Sequence, residues 1–182
     1  MLPDPLHPAI VHFPIVLAVL LPAFAVGALW AIRRGARPGW AWAVPLALAA
    51  VLAGSSWLAV ETGEAQEDRV EDVVGEQVLH AHEEAGERFL VLSGILLLIM
   101  GAGLLKGRAG SASRLVGTVG AAALVIAAVQ VGDAGGKLVY EHGAAAAYAS
   151  PDAGGAALRP GEHGVVPASG RVDRGEGDED ED

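Results

Sequence analysis

The sequence predicts an all-α integral membrane protein, a four-helix bundle crossing the bilayer four times. Hydrophobic residues make up 52% of the 182 residues and charged residues only 19%, an unusual balance for a soluble chain of this size. The apolar residues cluster in four runs, at residues 9–32, 40–60, 89–105 and 115–132. Each is near the ~20 residues that a helix needs to cross a hydrocarbon core. Within the runs there is almost no ionisable side chain, as a bilayer interior demands and as a soluble amphipathic helix would not show. The runs are rich in Ala and Leu and lack period-2 alternation, which argues against strands.

The opening MLPDPLHPAIVHFP lacks the basic region of a signal peptide, so the first run reads as a retained helix. Pro8 and Pro14 read as helix-start residues, whereas Pro22 and Pro45 fall inside runs, where each removes a backbone hydrogen bond. The third run is short and extends back through the amphipathic stretch 78–88. Gly94, Gly101, Gly103, Gly117 and Gly120 permit close helix approach. Between the second and third runs, Val70, Val73, Val74, Val78 and Leu79 fall at helical spacings among carboxylates, predicting an amphipathic interfacial helix. The domain organisation is a transmembrane domain over residues 1–148 and an acidic tail over 149–182. That tail ends in GEGDEDED and has too little apolar surface to offset chain entropy, so it reads as disordered.

Orientation follows from Lys and Arg. The loop after the first run carries Arg33, Arg34 and Arg37, and the loop after the third carries Lys106, Arg108 and Arg114, with no acid in either. Residues 61–88 hold ten Asp and Glu against Arg69 and Arg88 alone. By the positive-inside rule the basic loops face the cytoplasm. The protein is therefore expected in the inner (cytoplasmic) membrane, multi-pass, with both termini and the 61–88 segment outside.

That topology gathers five of the six histidines on the outer face. His7 and His12 start the first helix, His80 and His82 approach the third, and His142 follows the fourth, while His163 belongs to the tail. Helix ends in such a bundle lie about 10 Å apart, so these residues can share one site. Glu61, Glu64, Glu83, Glu84, Asp133 and Glu141 stand at the same level as acceptors for imidazole N–H groups, and Asp133 and Lys137 are spaced to pair. Boundary histidines suit haem ligation, metal binding and proton transfer. A bis-imidazole haem b needs one His on each of two facing helices, such as His12 with His82 or with His142. A zinc or copper site needs three or four ligands, such as His7, His12, His82 and His142 together. The same residues also have a cofactor-free reading, as helix caps hydrogen-bonded to headgroups.

At residues 7–17, HPAIVHFPIVL resembles the start of a widespread family of small bacterial four-helix membrane proteins of unknown function. Thr62-Gly63 after the second run, His82-Glu83 before the third and GGKLVYEHG at 135–143 are similar to the same family. Its members sometimes occur fused to Rieske or c-type cytochrome modules, so the resemblance implies an electron-transfer or haem-associated role. It carries over His7, His12, His82, Glu83 and His142. His80, the acidic segment around 65–76 and the Ala-rich stretch after Gly143 depart from the pattern.

These readings converge on a redox or binding subunit rather than a stand-alone enzyme. It would hold haem b, or copper or zinc, on His7, His12, His82 and His142, with Glu83, Glu61 and Asp133 behind them. Its partners would be the lipid bilayer and a redox protein or a second copy of the chain. The alternative is a cofactor-free structural or assembly subunit of a membrane complex. Transport is disfavoured because the helix centres offer only Gln130, Ser55, Ser56, Ser93 and Thr118. The absence of cysteine excludes disulfides, thiolate and iron–sulfur sites and covalent haem within this chain, and a net charge of −10 argues against nucleic acid.

Overall fold

The computed structural model describes residues 6–148; the tail, with His163, lies outside the described residues. The described chain forms α1 (His7–Ile10), α2 (His12–Arg33), α3 (Pro38–Glu64), α4 (Glu67–Val74), α5 (Glu76–Ala102), α6 (Gly107–Tyr140) and a closing 3-10 turn, Ala144–Tyr148. Helices α1 and α2 together make the first span, His7–Arg33, and α3, α5 and α6 make the other three. The small gap at Val11 coincides with Pro14, whose nitrogen cannot donate to the Ile10 carbonyl. Pro22 and Pro45 lie inside α2 and α3, as the sequence predicts.

Short turns at residues 34–37 and 103–106 join α2 to α3 and α5 to α6, so the chain runs up, down, up and down. Only 22–28% of each span is buried in the bundle, so the packing seam is narrow and most of each helix faces outward. Small residues build that seam: Ala18, Ala25, Ala28, Ala49, Ala121 and Ala128 alternate with Leu21, Leu52, Leu96, Leu124, Trp42 and Met100. Lipid is as apolar as leucine, so close backbone approach rather than the hydrophobic effect holds such helices together. Of the glycines expected to permit this, Gly103, Gly117 and Gly120 face Trp42, Met100 and Leu96, while Gly94 and Gly101 face open space. Exposed Trp30 and Trp40 stand near one end of the bundle and Phe13, Trp57 and Tyr140 near the other, the distribution of aromatic belts at two membrane interfaces.

The end that carries the basic turns, called here the arginine end, is pinned by bonds to helix carbonyls. Buried Trp42 Nε1 donates to the Met100 carbonyl at 2.8 Å. Arg114 does not lie in the loop: it sits in α6, 7% exposed, and its guanidinium donates to the Gly103 carbonyl and to Ser111 Oγ. The charge is placed against the C-terminal, electronegative end of α5. Ser113 Oγ donates to the Ile99 carbonyl at 2.7 Å, adding a second tie from α6, and a third in all, to the same helix end. Gly110 is required here, since a Cβ would lie 1.9 Å from the Leu105 carbonyl oxygen.

At the opposite end, Gly75, with φ +83°, breaks the predicted amphipathic segment in two. Residues after it continue into α5, so 78–88 belongs to the third span, as the short third run implies. Those before it form α4, whose Val70 and Val74 pack with Val78 against Leu79, Leu138 and Ala144. Much of the apolar face expected to rest on the membrane surface is thus used to close the end of the bundle. Tyr148 Oη donates to Gln66 Oε1, and Arg69 lies 5.5 Å above the Tyr148 ring.

Two substitutions test the arginine end. Trp42→Phe removes one hydrogen bond of a kind worth about 0.6 and at most roughly 1.7 kcal/mol in membranes. Gly110→Ala forces a backbone clash and should cost more, about 1–3 kcal/mol. In detergent melts the order of stability should be wild type, Trp42→Phe, Gly110→Ala, with Gly94→Ala at or above wild type.

Candidate histidine site

Five histidines lie at one end of the bundle, and among the described residues only two imidazoles meet. His7, on α1, and His82, in the second turn of α5, approach each other with ring centroids 6.3 Å apart and ring planes at 87°. Both rings are largely enclosed, whereas His12, His80 and His142 are exposed. His80 lies 3.9 Å from Glu83 on its own helix.

Each ring has a defined seat. His7 Nδ1 lies 2.8 Å from the Ala59 carbonyl oxygen near the end of α3. A carbonyl only accepts, so Nδ1 carries the proton and, in the neutral ring, Nε2 carries the free lone pair. Thr62 Oγ1 stands 3.4 Å from the same nitrogen and donates to the Leu58 and Ala59 carbonyls. The ring is accommodated because residue 63 is glycine: a Cβ there would be 3.2 Å from His7 Cε1. His82 is seated the same way on the last span, where a Cβ at Gly135 would be 3.0 Å from its Cε1. His82 Nδ1 is buried and has no hydrogen-bond partner among the described residues. Leaving such a group unpaired costs about 1–3 kcal/mol, so the position calls for an explanation.

Among the described residues no three His, Asp or Glu side chains are grouped as a metal would need, so the four-ligand arrangement of His7, His12, His82 and His142 is not assembled here. Of the expected acceptors, Asp133 is committed to Lys137 at 2.7 Å, as their spacing implies, and Glu61 is exposed. Glu83 is the exception: its side chain is 24% exposed, and Glu64, Glu67 and Glu87 lie close enough to act on it electrostatically. Carboxylates thus crowd around Glu83 at this end of the bundle. In the span centres the polar residues turn back on their own helices. Ser56, Ser93 and Thr118 each donate to a carbonyl three or four residues earlier, and Gln130 is exposed.

Sequence reasoning placed the histidines at one level and offered His12 opposite His82 or His142, whereas the ring that meets His82 is His7. It missed Ala59, which acts through its backbone, and it read Gly63 and Gly135 only as parts of motifs. Those motifs were the available signal, since HPAIVHFPIVL, Thr62-Gly63, His82-Glu83 and GGKLVYEHG each contribute a residue to the seat.

Fold and site together define a four-span, multi-pass helical membrane protein with an imidazole pair enclosed at one end of its bundle. The chain belongs to the family described as predicted membrane protein (DUF2231), whose profile matches residues 3–147. No curated protein and no solved structure matches it.

The glycine seat has a direct test. Ala in place of helical Gly ordinarily stabilises by about 1 kcal/mol, and Gly136, which faces open space, should behave that way. Gly135→Ala must push the His82 ring and should be less stable than Gly136→Ala by roughly 1–3 kcal/mol. Equal thermal stability of the two variants would mean that the ring does not rest on Gly135.

Proposed function

We propose that this protein holds a metal centre, haem b iron or a single copper ion, on His7 and His82, and passes electrons to or from a partner at the outer face of the membrane. The observation that carries the reading is the state of the two ring nitrogens. Ligating histidines almost always give their second N–H to a carbonyl or carboxylate, which fixes the tautomer. His7 does so with Ala59, which leaves its Nε2 lone pair available.

Two further features support it. Imidazoles on opposite sides of one ion, each about 2 Å from it through nitrogen, have centroids roughly 6 Å apart, and this pair lies at 6.3 Å. The carboxylates grouped with Glu83 at the same end of the bundle draw cations toward it. The outward orientation rests on the charge bias: Arg33, Arg34, Arg37, Lys106 and Arg108 stand at the opposite end of the bundle from the histidines. His12 and His142 are not part of the proposed centre, because both are exposed.

Oxidised and dithionite-reduced spectra, with elemental analysis, of detergent-purified protein test the reading. Soret and alpha bands would identify haem; stoichiometric copper in a preparation without those bands would identify an ion. Either signal should fall at least 10-fold in His7→Ala and in His82→Ala and persist in His12→Ala and His142→Ala. Protein free of haem and metal, even after reconstitution with either, would end the proposal in favour of a cofactor-free role.

A further inference from the structure

The first two spans and the last two repeat one pattern. Counting forward from His7, the buried positions of the first span fall at +7, +11, +14, +18 and +21: Pro14, Ala18, Leu21, Ala25 and Ala28. Counting forward from His82, the same offsets give Phe89, Ser93, Leu96, Met100 and Gly103, all buried. Counting back from Gly63, the buried positions of α3 fall at −21, −18, −14, −11, −7 and −4: Trp42, Pro45, Ala49, Leu52, Ser56 and Ala59. Counting back from Gly135, the offsets give Arg114, Gly117, Ala121, Leu124 and Ala128, all buried, and then Val131, which packs against the core.

Heptad spacing is shared by many bundle helices and explains the offsets within each helix. It does not explain why both hairpins begin that register with a histidine and end it with a glycine, nor why each histidine lies on the glycine of its own hairpin with its Cε1 edge nearest. Three core positions also match in residue type: Leu21 with Leu96, Ala49 with Ala121, and Leu52 with Leu124. The polar ties at the far end are where the two halves differ: Trp42 donates across to the other hairpin, Arg114 within its own. Trp42 and Arg114 occupy equivalent positions, and both donate to carbonyls at the end of α5.

We propose that residues 7–63 and 82–135 are tandem copies of one helical hairpin related by a pseudo-twofold axis along the bundle, and that His7 and His82 form a site on that axis. Parallel repeats about an axis along the membrane normal are an established way to build membrane proteins around a central site. Resting on the metal-centre reading above, the symmetry narrows the ligand class. Two equivalent imidazoles facing each other suit a centre with two opposed coordination positions, either the axial positions of haem iron or a linear cuprous ion. A tetrahedral zinc, which takes three or four protein ligands, does not match. The symmetry also assigns the unpaired nitrogen. Ala59, whose carbonyl holds His7 Nδ1, is equivalent to Val131, so the carbonyl of Val131 is the acceptor that His82 Nδ1–H takes up when the site is loaded.

The test uses the full-length protein in detergent with ¹⁵N-labelled histidine. In the metal-free protein, Gly63→Ala should shift the ring signals of His7 first, and Gly135→Ala those of His82, by comparable amounts; a response confined to one histidine overturns the pseudo-symmetry. The second arm adds cuprous ion or haemin. The expected result is one equivalent of either, each excluding the other, with two nitrogen ligands by X-ray absorption for copper or a low-spin bis-imidazole ferric spectrum for haem. Both rings should then be protonated at Nδ1, and His7→Ala and His82→Ala should weaken binding by similar factors of about 10–100. A centre with a third protein ligand, or one dependent on only one of the two histidines, overturns the symmetric site while leaving metal binding intact. Failure to take up either probe ends the ligand assignment, and the glycine arm then decides the duplication alone.

Discussion

The bond between a side chain and a helix carbonyl recurs wherever this bundle is fastened. A hydrocarbon interior offers a polar group no water, so each must find a partner within the protein. Helix carbonyls are the acceptors at hand, because each has a second lone pair beyond its helical bond. Trp42, Arg114 and Ser113 use them to hold the ends of spans together, and His7 uses one to join the first span to the second. Ser56, Ser93 and Thr118 use them within their own helices, which leaves the span centres free to pack through alanine and leucine. The narrow apolar seam is tolerable because these ties set the register at both ends.

The same constraint explains what could be read from sequence. Four spans were legible because lipid imposes a single strong requirement, a run of apolar residues of fixed length. The extension of the third span through 78–88, the prolines inside the first two spans and the Asp133–Lys137 pair were legible for similarly local reasons. The position of Arg114 was not, since a basic residue beside a basic turn reads as exposed; only the folded chain shows that it closes on Gly103. The split at Gly75 was equally hidden, because the valine spacing carries across it and only the backbone at that one residue breaks the helix.

For the site, composition and charge brought the histidines to one level but not to one point. Choosing His7 and His82 from five requires knowing which way each ring turns about its helix. That is decided by Ala59, a backbone acceptor that no residue type advertises, and by two glycines whose contribution is the absence of a side chain. His12, five residues after His7 and about 140° further round a helix, illustrates the difference: it shares the level and faces outward.

The connections between helices are unequal in a way that bears on assembly. Residues 34–37 and 103–106 turn the chain within each hairpin in a few residues, whereas the second and third spans are joined by the longer passage through α4 and Gly75. Contacts within each hairpin are local in sequence, and only the docking of one hairpin on the other must wait for distant partners. Every atom of the imidazole pair's contact belongs to that late step, since His7 and His82 come from different halves of the chain. The pair therefore cannot exist in a half-inserted molecule, and completing it coincides with completing the fold.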